Sequence, residues 1–449
     1  MNYSIITFGC RVNQADSLEI EQQLLAAGGH PVPASRADVI VVNTCSVTAS
    51  ADQGARQTVR RIAGQNPTAQ IVVTGCYATR RPQDFSGLPG VVRVVSNLEK
   101  DQVVSAVLTT AERFGDGDGA CGGVIEPGLG GRTAYTLRVQ TGCDEPCTYC
   151  IIPSTRGRGR SRRLEDVLSE VDWVVGAGFR EIALTGVHLG SYGRDLAEPT
   201  TLTGLLQRLD VRAGDVRYRI SSLEPMDCTR EVVDLVSRSG RFAPHFHLPL
   251  QHASDRLLRD MRRPYGLRAY RRLVDQIRAR LPDAAIGSDL IVGFPGETDA
   301  DTDCLLGYLE GCPLTHLHVF PYSDRPGTAA AAFDGKVDGR AVRERARRVR
   351  AAGARLAERF RRSQVNTVRR SLTIDDGSVA VTDNYLKVGI APGVRRNEWV
   401  DVRITGMGEP MEGHIVSNEQ RATSNEPRVA SARAYPPTSA PAIGPGLRR

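Results

Sequence analysis

Thr141-Gly-Cys-Asp-Glu-Pro-Cys-Thr-Tyr-Cys150, followed at once by Ile151-Ile-Pro153, sets Cys143, Cys147 and Cys150 in the order C-x3-C-x2-C. Three thiolates in one short loop can grip a single metal centre. They leave it one ligand short of the usual four. A structural zinc site closes with four ligands, so three point instead to an iron–sulfur cluster with one open iron, which can bind and reduce a small molecule. The competing readings are a zinc site with a distant fourth ligand and three incidental thiols.

Around this loop lies a chain of 449 residues, long enough for two to four domains and a large core. No run of eighteen apolar residues occurs, so no membrane span is expected. No basic region precedes an apolar one at the N-terminus, so no secretory signal is expected. Ten cysteines spread along the chain suit metal-binding thiolates in a reducing cytoplasm better than a disulfide framework. The net charge of +7 is uneven. Lys336 to Arg370 holds 13 Lys+Arg against 3 Asp+Glu, which suggests a polyanion partner such as RNA. A solvated helix face is the alternative, and with three lysines in the whole chain the arginine excess also reflects composition.

Ahead of the loop, in residues 1–125, three apolar runs each end at a cysteine. Tyr3-Ser-Ile-Ile-Thr-Phe leads to Cys10, Val39-Ile-Val-Val to Cys45 and Ile71-Val-Val-Thr to Cys76. Each reads as a buried strand, with helical patterns over Ser17–Ala27 and Ala51–Ala63 between them. Strand–helix–strand repetition implies a parallel sheet whose strand ends share one edge, where ligands bind. Cys10, Cys45 and Cys76 are therefore expected to converge as a second three-thiolate site, the alternative being ordinary core cysteines. Asp116–Gly123 and Gly128–Gly131 read as a flexible linker, with Cys121 a free surface thiol.

Behind the loop, residues 132–335 alternate strands and helices. Strands are expected at Tyr135–Gln140, Glu181–Thr185, Tyr218–Ser221, His245–Leu248, Ala285–Val292 and His316–Phe320. Helices are expected at Leu164–Val175, Glu231–Ser237, Tyr270–Arg280 and Asp301–Leu309. Six such units make an open partial (β/α)6 barrel with its site at the strands' carboxyl ends. Glycine-rich Thr185–Gly193 with Gly186, the carboxylate Glu224, the Gly293 turn and Tyr322 ring that mouth. Together they favour a nucleoside-sized ligand. His188, His247 and His252 read as polar members of the mouth rather than metal ligands. Arg156, first of five arginines in Arg156–Arg163, offers a planar fork for a ligand carboxylate or RNA phosphates. Cys228, Cys304 and Cys312 read as small core residues.

Residues 336–370 form a basic linker with a helix over Ala341–Gln364. Five short strand patterns in residues 371–417 then make a small antiparallel β-barrel. From Asn366 to Asn418 there are 6 Lys+Arg and 7 Asp+Glu. Any RNA contact there would fall to Tyr385, Lys387, Arg395 and Arg396 with help from the linker. Residues 418–449 are rich in Ser, Ala, Pro and Arg, a disordered composition. The fold class is thus α/β with a β-barrel appended.

C-x3-C-x2-C resembles the radical SAM signature, and the small barrel resembles the TRAM domain, an RNA-binding barrel. The order of parts over residues 1–417 resembles the methylthiotransferase family of radical SAM enzymes. Within it, Phe8–Gln14, Thr141–Gly157, Leu248–Ser254 and Asp383–Val388 look most like the branch that modifies threonylcarbamoyladenosine in tRNA. The branches acting on isopentenyladenosine in tRNA or on a ribosomal-protein aspartate are the alternatives. The resemblance implies a cytoplasmic transferase with two [4Fe–4S] clusters that inserts a methylthio group at carbon 2 of the adenine next to the anticodon. Cys143, Cys147 and Cys150 would hold the cluster that reduces S-adenosylmethionine to a 5′-deoxyadenosyl radical. Cys10, Cys45 and Cys76 would hold an auxiliary cluster presenting the sulfur. Gly186, Glu224, Arg156, Gly293 and Tyr322 are the expected S-adenosylmethionine contacts. Partners would be tRNA and a reductant such as flavodoxin or ferredoxin. A non-catalytic RNA-binding or zinc-regulatory protein is the rival from another class.

Overall fold

Val39-Ile-Val-Val is buried on both faces, which only a strand covered by helices on each side allows. In the computed structural model, which describes residues 1–46, 49–110, 125–128 and 131–416, this run is the strand Val39–Thr44 at the centre of a five-stranded parallel sheet. Asn2–Thr7 pairs with it on one side and Gln70–Gly75 on the other. One apolar cluster, including Ile40, Val42, Val59 and Phe85, fills one face of the sheet. A second, including Tyr3, Ile20, Val41 and Val103, fills the other. The first helix, Arg11–Ala26, starts directly after Cys10, six residues earlier than its apolar pattern indicates. Its first turn carries polar side chains that serve the site rather than the core.

The central part has six parallel strands in two halves. Tyr135–Arg138, Glu181–Thr185 and Arg217–Ile220 form one, and His245–His247, Ala285–Val292 and His316–Pro321 the other. Isolated bridges, Tyr218 to Phe242 and Ser222 to His247, join the halves. The result is the open partial barrel expected from the alternation. Its apolar residues pack against an outer layer of helices that includes Leu202–Asp210, which lacks a strong sequence signal. Residues 140–141 form a separate short strand pairing with Arg160–Ser161, so the cysteine loop is clamped at both ends.

Asp338 caps a 26-residue helix, Gly339–Gln364, which lies against the last core strand. Part of its charge is paired with acidic residues elsewhere in the protein. Arg345 pairs with Asp299 (2.8 Å), Arg348 with Asp303 (2.8 Å), and Arg361 with Glu409 (2.5 Å). The run of arginines that suggested RNA is therefore in part a structural strap. Beyond it, five strands close into a barrel. Four of its pairings are antiparallel, and Lys387–Gly389 runs parallel to Met411–Ile415. Cys228 and Cys312 are buried as expected, but Cys304 is exposed, on the solvent side of the helix Asp299–Gly311. Cys121 and residues 418–449 lie outside the described residues.

One carboxylate joins the first sheet to the core. Asp16, fully buried, contacts Lys100 (2.6 Å), Arg156 (2.8 Å) and Arg138. Burial alone would raise its pKa, but the three cations hold it well below the usual carboxylate range. Its contribution to stability is complete above that range and is lost only as pH falls through it. Asp16→Ala leaves Lys100 and Arg156 without a carboxylate and Arg138 with Glu19 alone. We expect it to cost about 3 to 5 kcal/mol in urea unfolding of the cluster-free chain. An unchanged midpoint would show the hub to be dispensable.

Candidate active site

The loop that follows the first core strand is shaped by its glycines. Gly142 has φ +73, and a Cβ there would stand 1.9 Å from the Arg158 carbonyl oxygen. The chain thus turns tightly enough to bring Cys143, Cys147 and Cys150 to the barrel mouth. Arg263 donates to the Cys147 sulfur (3.1 Å) and pairs with Glu224. His188 Nδ1 lies 3.9 Å from the Cys143 sulfur, and its Nε2 bonds Asp227 (2.7 Å). Burial disfavours a charged His188, but its bonds to Asp227 and Cys143 outweigh this and raise it to about 10. Burial pushes the Cys150 thiol up to about 12. A buried thiol of this kind gives up its proton when a metal supplies the missing positive charge.

The second trio stands at the carboxyl edge of the first sheet. Gly9, at φ +90, lets the backbone before Cys10 pass Cys45, since a Cβ there would fall 2.5 Å from the Cys45 sulfur. Gly75, at φ +99, makes the equivalent approach to Thr44 just before Cys76. Asn13 ties the edge together. It donates to the carbonyls of Phe8 and Thr44 (both 2.9 Å), and its Oδ1 lies 4.0 Å from the Cys76 sulfur. Cys45 and Cys76 are buried and Cys10 is exposed.

The two trios flank one short helix, Ile152–Arg156. Asn97 donates both to the Cys76 sulfur (3.5 Å) and to the Thr155 carbonyl (3.0 Å). Arg156 turns away from the barrel mouth. It bonds Asp16 and Asn13, and burial works against its charge, which Asp16 and then Cys76 and Cys10 favour. A basic cleft of about 180 Å³ lined by Lys100, Arg138, Arg156 and Arg160 opens beside it.

The remaining expected contacts are placed as follows. Glu224 is one residue from Cys147, through Arg263. Gly186 backs onto Gln140, whose Oε1 would lie 3.1 Å from an added Cβ. Gly293 is a glycine for an internal reason, because a Cβ would meet Val342 at 2.5 Å. Tyr322 stacks edge-on with Phe294 (5.5 Å) in an apolar cluster that also takes Tyr149 from the cysteine loop. His252 is buried, accepts from the Ser254 amide (3.0 Å), and is depressed by burial to about 4. Arg263, Asp227, Asn97 and Asp16 carried no sequence signal, since each acts through a distant partner.

Among the described residues, His247, Asp289 and His318 bring three ligand atoms within 4.8 Å of one another. Both imidazoles bond the same Asp289 oxygen (2.9 and 3.1 Å), which satisfies the group without an ion. Neither cysteine trio is gathered so tightly.

Residues 2–96 match the model of "Uncharacterized protein family UPF0004", and residues 137–307 match that of the Radical SAM superfamily. Threonylcarbamoyladenosine tRNA methylthiotransferase MtaB of Bacillus subtilis (strain 168) is 35% identical over 446 residues, covering 95% of this chain and 98% of its own. The chain belongs to the radical SAM tRNA methylthiotransferase family. The tRNA-2-methylthio-N(6)-dimethylallyladenosine synthase of Parafrankia sp. (strain EAN1pec) is 37% identical over 355 residues, covering 77% of this methylthiotransferase and 72% of its own length. The radical S-adenosylmethionine methyltransferase TsrM of Kitasatospora setae superposes with TM-score 0.52 at 16% identity, over 74% of each chain. That likeness speaks for the fold alone. The family uses S-adenosylmethionine and [4Fe–4S] clusters. Among the methylthiotransferase's described residues, no helix is long and apolar enough to cross a membrane.

Two substitutions separate the sites. Gly9→Ala forces a Cβ into Cys45 and is expected to cost the auxiliary cluster, lowering iron from about eight to about four atoms per chain while S-adenosylmethionine cleavage remains. Cys147→Ala is expected to give the same iron count with cleavage abolished. Full iron in the Gly9 variant, or cleavage by the Cys147 variant, would contradict the assignment.

Proposed function

We propose that the chain inserts a methylthio group at carbon 2 of N6-threonylcarbamoyladenosine beside the anticodon of tRNA. The observation that carries this reading is the similarity to the Bacillus subtilis protein, which runs through the C-terminal barrel to cover 95% of this chain. Similarity to the Parafrankia protein, named for dimethylallyladenosine, spans 77%.

Cys143, Cys147 and Cys150 would hold one [4Fe–4S] cluster, and Cys10, Cys45 and Cys76 an auxiliary one. A cluster held by the first trio with one open iron would supply a place for S-adenosylmethionine to bind and be reduced. The protein's part is positional. Arg263 orients Cys147 and fixes Glu224; Glu224, Gly186, Gly293 and Tyr322 would be the cofactor contacts. Arg156 is reassigned here from the cofactor to the auxiliary site, where it supports the cysteines through Asp16 and Asn13. Residues 1–125, 132–335, 336–370 and 371–417 would serve as the auxiliary-cluster domain, the radical SAM core, a strap and a TRAM-like RNA-binding barrel. The electron would come from flavodoxin or ferredoxin, and the setting would be the cytoplasm.

Nucleoside analysis of tRNA from a deletion strain tests this reading. Methylthio-threonylcarbamoyladenosine should disappear while unmethylthiolated threonylcarbamoyladenosine accumulates. Persistence of the modified nucleoside, with loss of its dimethylallyl counterpart, would move the chain to the other branch.

A further inference from the structure

The proposed substrate carries a group that a dimethylallyl nucleoside lacks, the carboxylate of its threonyl moiety. The N6 substituent and carbon 2 sit either side of one ring nitrogen. A side chain that reads the substituent must therefore stand close to the cysteines that serve carbon 2. Recognition of a carboxylate calls for a guanidinium not already neutralised by the protein.

Most cations near the two trios fail that condition. Arg138 pairs with Asp16 and Glu19, Lys100 and Arg156 with Asp16, Arg219 with Glu181 (3.0 Å), and Arg263 with Glu224. Arg217 contacts no carboxylate but lies 4.4 Å over the Trp399 ring, sealed between core and barrel. Arg11 remains. It follows Cys10 directly and is half-buried. Its one hydrogen bond among the described residues goes to a neutral partner, the Tyr385 hydroxyl, at 2.7 Å. It also opens the helix Arg11–Ala26, whose first turn has no acidic residue and whose cap makes no side-chain hydrogen bond, so the positive helix end adds to its field.

Tyr385 is held where Arg11 needs it. It sits at φ +72 in the loop between Val379–Thr382 and Lys387–Gly389 of the C-terminal barrel. The neighbouring Asn384 is fully buried and fixes that loop to the core, through the Asp283 carbonyl (2.9 Å) and Gln364 (2.8 Å). Tyr385 stands with His245 at 5.0 Å and the Arg219 guanidinium 4.6 Å from its ring centroid, yet it stays 44% exposed. A hydroxyl orients the guanidinium without cancelling its charge, and the other N–H donors stay available.

We propose that Arg11, braced by Tyr385, binds the carboxylate of the threonylcarbamoyl group and thereby selects the substrate. This rests on the function proposed above and gives the C-terminal barrel a part in reading the modified base as well as in holding RNA.

The test uses the loaded enzyme and anticodon stem-loops bearing threonylcarbamoyladenosine, the same nucleoside as its threonine methyl ester, or isopentenyladenosine. Dissociation constants are measured by anisotropy, and kcat and KM anaerobically. Arg11→Gln should lower the acid-over-ester preference about tenfold to a hundredfold, chiefly through Kd and KM. Arg11→Lys should restore part of it, and Tyr385→Phe should cost about threefold in the same ratio. Iron and sulfide contents of the Arg11→Gln protein should equal those of wild type. If iron falls, the Tyr385→Phe ratio decides. An acid-over-ester ratio that neither variant moves would overturn the inference and leave the functional reading standing. Wild-type protein that methylthiolates only the isopentenyladenosine stem-loop would overturn both.

Discussion

A buried carboxylate facing three cations fixes the relation between the two halves of the site. Asp16 sits on the helix that starts at Cys10. Its partners come from elsewhere: Lys100 beyond the last strand of the first sheet, Arg138 on the first core strand, Arg156 after the cysteine loop. Removing Asp16 would leave Lys100 and Arg156 without a carboxylate in a medium that screens poorly. The hub sets Cys10 against the loop that carries Cys143, Cys147 and Cys150. The close approaches at Gly9 and Gly75 draw the ends of the first sheet together around Cys45 and Thr44.

The two trios are supported differently. Cys147 and Cys143 are approached by Arg263 and His188, each in turn held by a carboxylate, Glu224 or Asp227. Cys76 is approached mainly by neutral amides, Asn13 and Asn97, with the Arg156 charge set one contact back. The first environment stabilises thiolate charge through direct donors. The second relies on side-chain amides in direct contact.

What the sequence disclosed follows from where periodicity acts. Cys10, Cys45 and Cys76 could be brought together because each ends a buried run, and parallel strands end on one edge. The six core strands showed for the same reason. Arg156 could not be placed, because its neighbours in sequence are arginines with other tasks and its partners, Asn13 and Asp16, lie about 140 residues away. The arginines of Gly339–Gln364 looked like an RNA surface because composition does not reveal that Asp299, Asp303 and Glu409 stand opposite them. Cys304 looked like core because apolar neighbours do not fix which side of a helix a residue takes.

Pulsed dipolar EPR between the two reduced clusters in the anaerobically loaded protein tests most directly whether both trios hold clusters set face to face by the Asp16 hub. A single narrow distribution of distances, broadened in Asp16→Ala, is the expected result. A broad distribution in the wild type, or a single paramagnetic cluster, would contradict it.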